Sequence, residues 1–323
     1  MSYFAVDSLD PSLRASMLTW WSEAGRRCAP RFLQLHALLD AAFDENGVAQ
    51  YLATRPCGTT RVLYGGLRYE SLRSVSPWLV LCDTSSAQRL SRDIDELFLL
   101  RADRPMLSFF AASMDPGQLR DHLVPWSRMR LPGDEQADSH LRIADTRILE
   151  ALLPVLTEAQ RQAFMAPGMG LWFPLRDGRQ TQQLLSERGS METASCEGPL
   201  HLEPQQFEAL MDAAEPDLVI HQLLRTRPTR FSHALGSRVH AFVDRQVRRA
   251  RARGLTETPD FVQYALTAWM TNAAFDEHPA FAEALTRRNE AGGLQTALDA
   301  VPDAVWMELA AARSLVRDCL PRA

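Results

Sequence analysis

Arg245, Arg248, Arg249, Arg251 and Arg253, five arginines in nine residues, are the most conspicuous charge feature of the chain. A guanidinium offers a planar fork of donors, so such a run can grip an acidic protein surface or a phosphate backbone. The run also closes a helix, where each cation complements the negative end of the helix dipole by about 0.3 to 1 kcal/mol. The structural reading leads, and within the functional one a protein partner stands ahead of nucleic acid. The adjacent Trp20 and Trp21 are a second candidate contact, because one helix face cannot bury both and an exposed tryptophan is a natural docking anchor.

The residues that carry catalysis elsewhere are not grouped here. His233 and His240 stand two helical turns apart, and a structural or surface role outweighs a metal site. Asp93 with Asp95 and Glu96, and Asp276 with Glu277, have the chemistry of a general acid and base, but solvated helix faces are the plainer reading. No His-Glu-x-x-His, Gly-x-Ser-x-Gly or Gly-x-Gly-x-x-Gly occurs, and Gly168-Met-Gly170 lies between a helix and a strand, the wrong order for a phosphate cradle. All 35 basic residues are arginine. Without lysine there is no Walker A phosphate contact, no kinase strand lysine, no Schiff base and no serine–lysine pair. No catalytic residue, metal or cofactor is expected, and the chain is read as a non-enzyme.

The net charge of −5 argues against a general nucleic-acid binder. The five cysteines form no Cys-x-x-Cys pair and read as reduced thiols of the cytoplasm. The apolar runs fall short of the ~18 residues that span a bilayer, and no signal peptide is evident, so a cytoplasmic location without membrane contact is expected.

Residues 11 to 27 place Leu13, Met17, Trp20 and Trp21 at helical spacing, an amphipathic lead-in helix within an N-terminal extension at 1–30. From 31 to 185 strand and helix patterns alternate. Strands are predicted at 32–39, 60–64, 77–82, 106–112 and 140–144, with helices at 85–100, 115–126 and after Asp145 and Thr157. A hairpin is expected to turn on Asp177-Gly178, a pair favoured in two-residue type I′ turns. This is a mixed α/β lobe, α/β or α+β, with a small sheet of undetermined order. Residues 186–202 are polar and small and read as a linker. From 203 to 323 apolar residues recur every three or four positions, which predicts an all-helical lobe with helices at 203–214, 218–225, 232–253, 259–274, 280–289 and between 294 and 317.

The segments LHALLDAAFD (35–44), LYGGLRYESL (63–72), SPWLVLCD (76–83), SFFAASMDPGQLRDHL (108–123) and RIADTRILEALLPVLTEAQRQAF (142–164) resemble the effector adaptor/chaperone domain, the Tap/TEC adaptors encoded beside VgrG spike genes in type VI secretion clusters. In that family a Tyr-Asp-Pro-Arg-like segment precedes the LLP-type helix. Here it reads Ala144-Asp145-Thr146-Arg147, with threonine in the first helical turn instead of proline. RARARGLTETPDFVQYAL (249–266) and AAFDEHPAF (273–281) resemble the helical extension attached to such adaptors.

The resemblance implies a cytoplasmic adaptor, monomeric when free, that binds the N-terminal region of one cognate effector toxin and helps load it onto the VgrG tip, with direct contact to VgrG left open. The alternatives are a nucleic-acid-associated protein using the Arg245–Arg253 helix and a hydrolase whose site follows no familiar motif.

Overall fold

The apolar runs flanking Asp40 and Ser108 build the centre of the main sheet. In a computed structural model, which describes residues 5–28, 32–65, 67–165, 169–185, 198–226 and 236–311, every residue of β4 (Leu107–Ala112) and all but the first of β1 (Gln34–Asp40) are buried. A strand enclosed on both faces needs a continuous apolar run, and these two segments supply it. The chain divides into two compact units, one of residues 6–210 and one from Met211 onward together with Ala5.

The first unit carries a six-stranded sheet in the order β2 (Thr60–Val62), β3 (Pro77–Leu81), β1, β4, β7 (Gly170–Pro174), β8 (Thr181–Leu185). Every adjacent pair is antiparallel. β3 and β4 both run opposite to β1, so they are parallel to each other with β1 inserted between them. The helix that joins them, α3 (Ala87–Arg101), therefore makes a split crossover. Strand–helix alternation is thus satisfied in this sheet without parallel neighbours, and the unit is mixed α/β.

Helices cover both faces. α1 (Ser12–Cys28), α2 (Glu45–Ala53) and α3 pack Met17, Trp20, Val48, Ile94 and Leu97 against Leu35, Ala37 and Leu39 of β1. On the other face Leu38 and Phe110 meet α4 (Pro116–Leu123), α5 (Thr146–Val155) and α6 (Glu158–Met165). Each of these last three helices has a cap written in the sequence. Asp115 and Gln118 form a capping box, Asp145 accepts from Arg147 N–H, and Thr157 accepts from Gln160 N–H.

Several expected boundaries move. The helix expected at 115–126 stops at Leu123, and Pro125 opens a short 3-10 turn to Ser127, because proline cannot supply the next helical N–H. The strand expected at 140–144 ends at His140. It belongs to a hairpin of β5 (Arg128–Leu131) with β6 (Asp134–His140), and β9 (Leu200–His201) joins β5 in a separate three-stranded sheet. Leu141, Ile143 and Ala144 are buried without strand pairing, so apolar content there reflects packing, not a ladder.

The hairpin at Asp177-Gly178 forms with a longer loop than a two-residue turn. Leu175 N–H donates to Gln180 O, Asp177 Oδ1 accepts from Arg179 and Gln180 N–H, and Gly178 has φ +63°. The N-terminal segment lies over this loop through Asp7 N–H to Arg176 O and Asp10 N–H to Gly178 O. Most of the expected linker, 186–197, lies outside the described residues.

The second unit is helical throughout its described residues. α7 (Pro204–Thr226) runs unbroken through Pro216, where two helices were expected, and the division between the units falls inside it after Leu210. An interior proline costs roughly 3 kcal/mol. Burial of Val219, Ile220 and Leu223 just beyond it opposes that cost.

α8 (Gly236–Ala252), α9 (Thr258–Met270), α10 (Pro279–Arg287), α11 (Leu294–Asp299) and α12 (Asp303–Ala311) follow. Gly254, at φ +75°, closes α8 in a Schellman arrangement, with Leu255 N–H donating to Ala250 O and Gly254 N–H to Arg251 O. No described helix is long and apolar enough to cross a membrane.

Candidate functional site

Asp40 ends β1 and is almost fully enclosed, a place where a bare carboxylate is costly. Its Oδ1 accepts from Ala42 N–H at 3.1 Å, and its Oδ2 accepts from Arg142 Nε at 3.1 Å and Nη2 at 2.9 Å. Burial raises the Asp40 pKa and Arg142 opposes that rise. Three residues on, Asp145 caps α5 and takes Arg147 through both carboxylate oxygens, at 3.0 and 2.7 Å. The two guanidiniums converge on one ring. Arg142 Cζ lies 4.7 Å and Arg147 Cζ 5.4 Å from the centroid of Phe43.

Phe43 sits on the 3-10 turn Ala41–Phe43, fixed by Asp40 at its start and Asp44 at its end, and Asp44 in turn caps α2 and meets Arg104 at 3.2 Å. Each oxygen of Asp40 and of Asp145 accepts at least one hydrogen bond. The outer surface is different. Arg142 keeps 43% of its side chain exposed while its ion-pair partner is buried.

Beside this cluster the same 3-10 turn packs against a second 3-10 stretch, Leu67–Val75. A groove of about 380 Å³ runs between that stretch and α2. Val48, Ala49, Leu52 and Trp78 line it together with the polar Glu45, Asn46, Arg73 and Ser74. The Arg73 guanidinium lies 5.6 Å from the Trp78 ring centroid.

The residues singled out from sequence are dispersed. Trp20 is wholly buried in the core of the first unit and Trp21 is half-buried against it, so neither stands open as an anchor. Four of the five arginines are paired internally. Arg249 and Arg253 both hold the buried Asp276, with Arg249 also on Glu277 at 2.9 Å and Arg253 Nε 2.9 Å from Asp276 Oδ2. Arg251 meets Asp212 at 2.8 Å and lies over Phe261, and Arg248 pairs with Asp244 one helical turn away. Arg245 is exposed and, among the described residues, has no ion pair.

The acids expected on solvated helix faces are in part buried. Asp276 holds the arginine knot, and Asp93 takes Arg55 at 2.8 and 2.7 Å and also accepts from Asp83 N–H. Burial raises the Asp276 pKa, but the hydrogen bonds from its arginines prevail and hold it below the ordinary carboxylate value. His233 lies outside the described residues. Among the described residues no three His, Cys, Asp or Glu side chains gather as a metal site requires.

Sequence reading did not single out Asp40, Phe43, Arg142, Asp145 or Arg147 as site residues, although it placed Asp145 at a helix start. Each lies in a segment that carried the family resemblance, LHALLDAAFD or RIADTRILEALL, and the fold brings those segments together.

Residues 35–163 match a family model described as a domain of unknown function, DUF4123. The match takes in the sheet from β1 to β4, the helices α2 to α5 and nearly all of α6, with the whole Asp40–Phe43–Arg142–Asp145–Arg147 cluster and the groove beside it. No curated protein and no solved structure matches the chain.

Proposed function

We propose that this chain is a non-catalytic adaptor that binds the N-terminal region of a cognate type VI secretion effector in the cytoplasm and promotes its loading onto the VgrG spike. One observation carries this reading. The stretch over which the sequence resembles effector adaptors, residues 35 to 164, coincides with the residues 35–163 matched by the DUF4123 family. The geometry of the site agrees with a binding role, since Asp40 and Asp145 are held by arginine and backbone donors while Arg142 stays partly exposed on the outer surface. Pairing of Arg248, Arg249, Arg251 and Arg253 within the second unit weighs against the nucleic-acid alternative.

The test is coexpression with the toxin encoded next to it. The adaptor reading expects the two to copurify and the toxin's soluble yield to rise. Absence of any association between the purified pair overturns it.

A further inference from the structure

The main sheet ends differently at its two sides. β2 closes one side, and its pairing with β3 turns the carbonyls of Thr60 and Val62 outward. Both are occupied, since Arg61 Nη1 donates to Thr60 O at 2.9 Å and Arg120 Nε to Val62 O at 3.0 Å. An edge whose carbonyls are taken by side chains is closed to a further strand.

β8 closes the other side. Leu175 N–H donates to Gln180 O, so the positions that exchange hydrogen bonds across the two strands are 173 with 182 and 171 with 184. Thr181, Gln183 and Leu185 therefore turn their main-chain groups away from β7. Among the described residues nothing pairs with the N–H or C=O of Thr181 or Gln183. The Gln183 side chain is engaged elsewhere, donating to Thr181 Oγ1 at 3.0 Å and to Ser16 Oγ on α1 at 3.4 Å. The strand reads TQQLL, with neither the charge nor the proline that commonly blocks an edge.

We propose that the β8 edge is a strand-addition site, where an extended segment of the bound partner pairs with Thr181 and Gln183 and continues the main sheet. The proposal rests on the adaptor reading, with the effector's N-terminal region supplying the segment. Alternating amide donors and carbonyl acceptors are matched by another polypeptide main chain, and a nucleic acid backbone offers no such pattern.

The two faces of β8 set the side chains that fit. Leu184 lies opposite Leu171 and packs on the core, whereas Gln183, on the other face, is exposed. The incoming segment accordingly carries an apolar residue beside Leu184, a polar one beside Gln183, and no proline where it must donate. Size decides between a partner segment and a second copy. A ladder of five residues is about 17 Å long and buries on the order of a few hundred Å², well under the roughly 1,200 Å² of a stable interface. Two copies joined through β8 alone would separate, but a segment whose parent protein is also held elsewhere stays.

The experiment uses the full chain, the neighbouring toxin's N-terminal region and synthetic 15-residue tiles of that region, with binding measured by calorimetry. Gln183→Pro removes one outward N–H and sets a ring in the path of an added strand, while the ladder to β7 uses neither. It is expected to weaken the toxin region by about tenfold or more. Gln183→Thr keeps every main-chain group and is expected to bind as the wild type does. Thr181→Pro, at the preceding outward N–H, serves in place of Gln183→Pro if that variant melts early. The tile that binds is also made in two versions, methylated on alternate main-chain nitrogens and offset by one residue. Only one set of nitrogens faces β8, so one version is expected to lose binding and the other to keep it.

A toxin region that binds the proline variant as it binds the wild type, or two methylated tiles that behave alike, overturns the edge assignment and leaves the adaptor reading intact. Self-association of the free chain that the proline variant abolishes gives the edge to a second copy and overturns the assignment as well. A toxin that does not bind the wild-type chain overturns both.

Discussion

Arg142 reaches Asp40 across 102 residues of sequence and places two nitrogens, Nε and Nη2, within 3.1 Å of a single carboxylate oxygen. The pair ties the end of the central strand to the entry of α5, and it is asymmetric, since the acid is buried and the arginine partly exposed. Removing one partner from such a pair costs more than the pair itself contributes, because the other is left desolvated.

Arg142→Ala is therefore expected to destabilise the first unit by about 2 to 4 kcal/mol at neutral pH, measured by urea unfolding. The sign of its pH dependence follows from Asp40. Burial already raises this carboxyl above its ordinary value, and loss of Arg142 raises it further. A group with a raised folded pKa stabilises below its unfolded pKa and loses that contribution as pH climbs through the folded value. The deficit of Arg142→Ala should accordingly shrink as the solution is acidified, and Asp40→Asn in that background should recover much of it. A deficit independent of pH would contradict this account.

His36 is fully buried on β1, with its Nε2 3.0 Å from Met114 O, and burial pulls its pKa down to about 4. The unfolded chain takes up this proton near pH 6.5 and the folded chain does not until near 4. Stability should therefore fall as pH drops through that window, by about 3 kcal/mol from this residue. His122, also depressed by burial, adds in the same direction. His36→Gln is expected to flatten the stability profile between pH 6.5 and 4, read by thermal melts across a buffer series.

Asp276 in the second unit is held by Arg249 and Arg253 together. Asp276→Ala leaves two arginines without their shared acid and is expected to cost about 3 kcal/mol. Arg245→Ala and Arg248→Ala remove exposed side chains and should stay within about 0.5 kcal/mol of wild type. Chemical denaturation of the four proteins, with Arg249→Ala as the paired control, distinguishes a structural knot from a set of equivalent surface charges.

Gly178 combines φ +63° with a close approach, since a Cβ there would stand 2.1 Å from the Ser8 carbonyl oxygen. Gly178→Ala must displace the N-terminal segment as well as strain the loop. It is expected to lower stability by about 1 to 3 kcal/mol and to speed proteolytic cleavage before α1. Cleavage unchanged from wild type would show that the segment is held by other contacts.

The described fold was largely legible where local chemistry decides it. Asp115-Pro116, Asp145 and Thr157 announced their helices through caps that need only a side-chain oxygen and the next turn's N–H groups. The apolar runs at 32–39 and 106–112 announced strands, which form as β1 and β4. Composition and the absence of lysine narrowed the chemistry further.

Tertiary structure decided what depends on distant partners. Insertion of β1 between β3 and β4 is a choice of neighbours that no periodicity records. Pro216 inside α7, and the burial of Asp93 and Asp276 among arginines, are set by packing that overrides local preference. The site itself was hidden for the same reason. Asp40, Phe43 and Arg142 are unremarkable in their own segments, and only the approach of the β1 end to the α5 entry converts them into one arginine-on-ring surface.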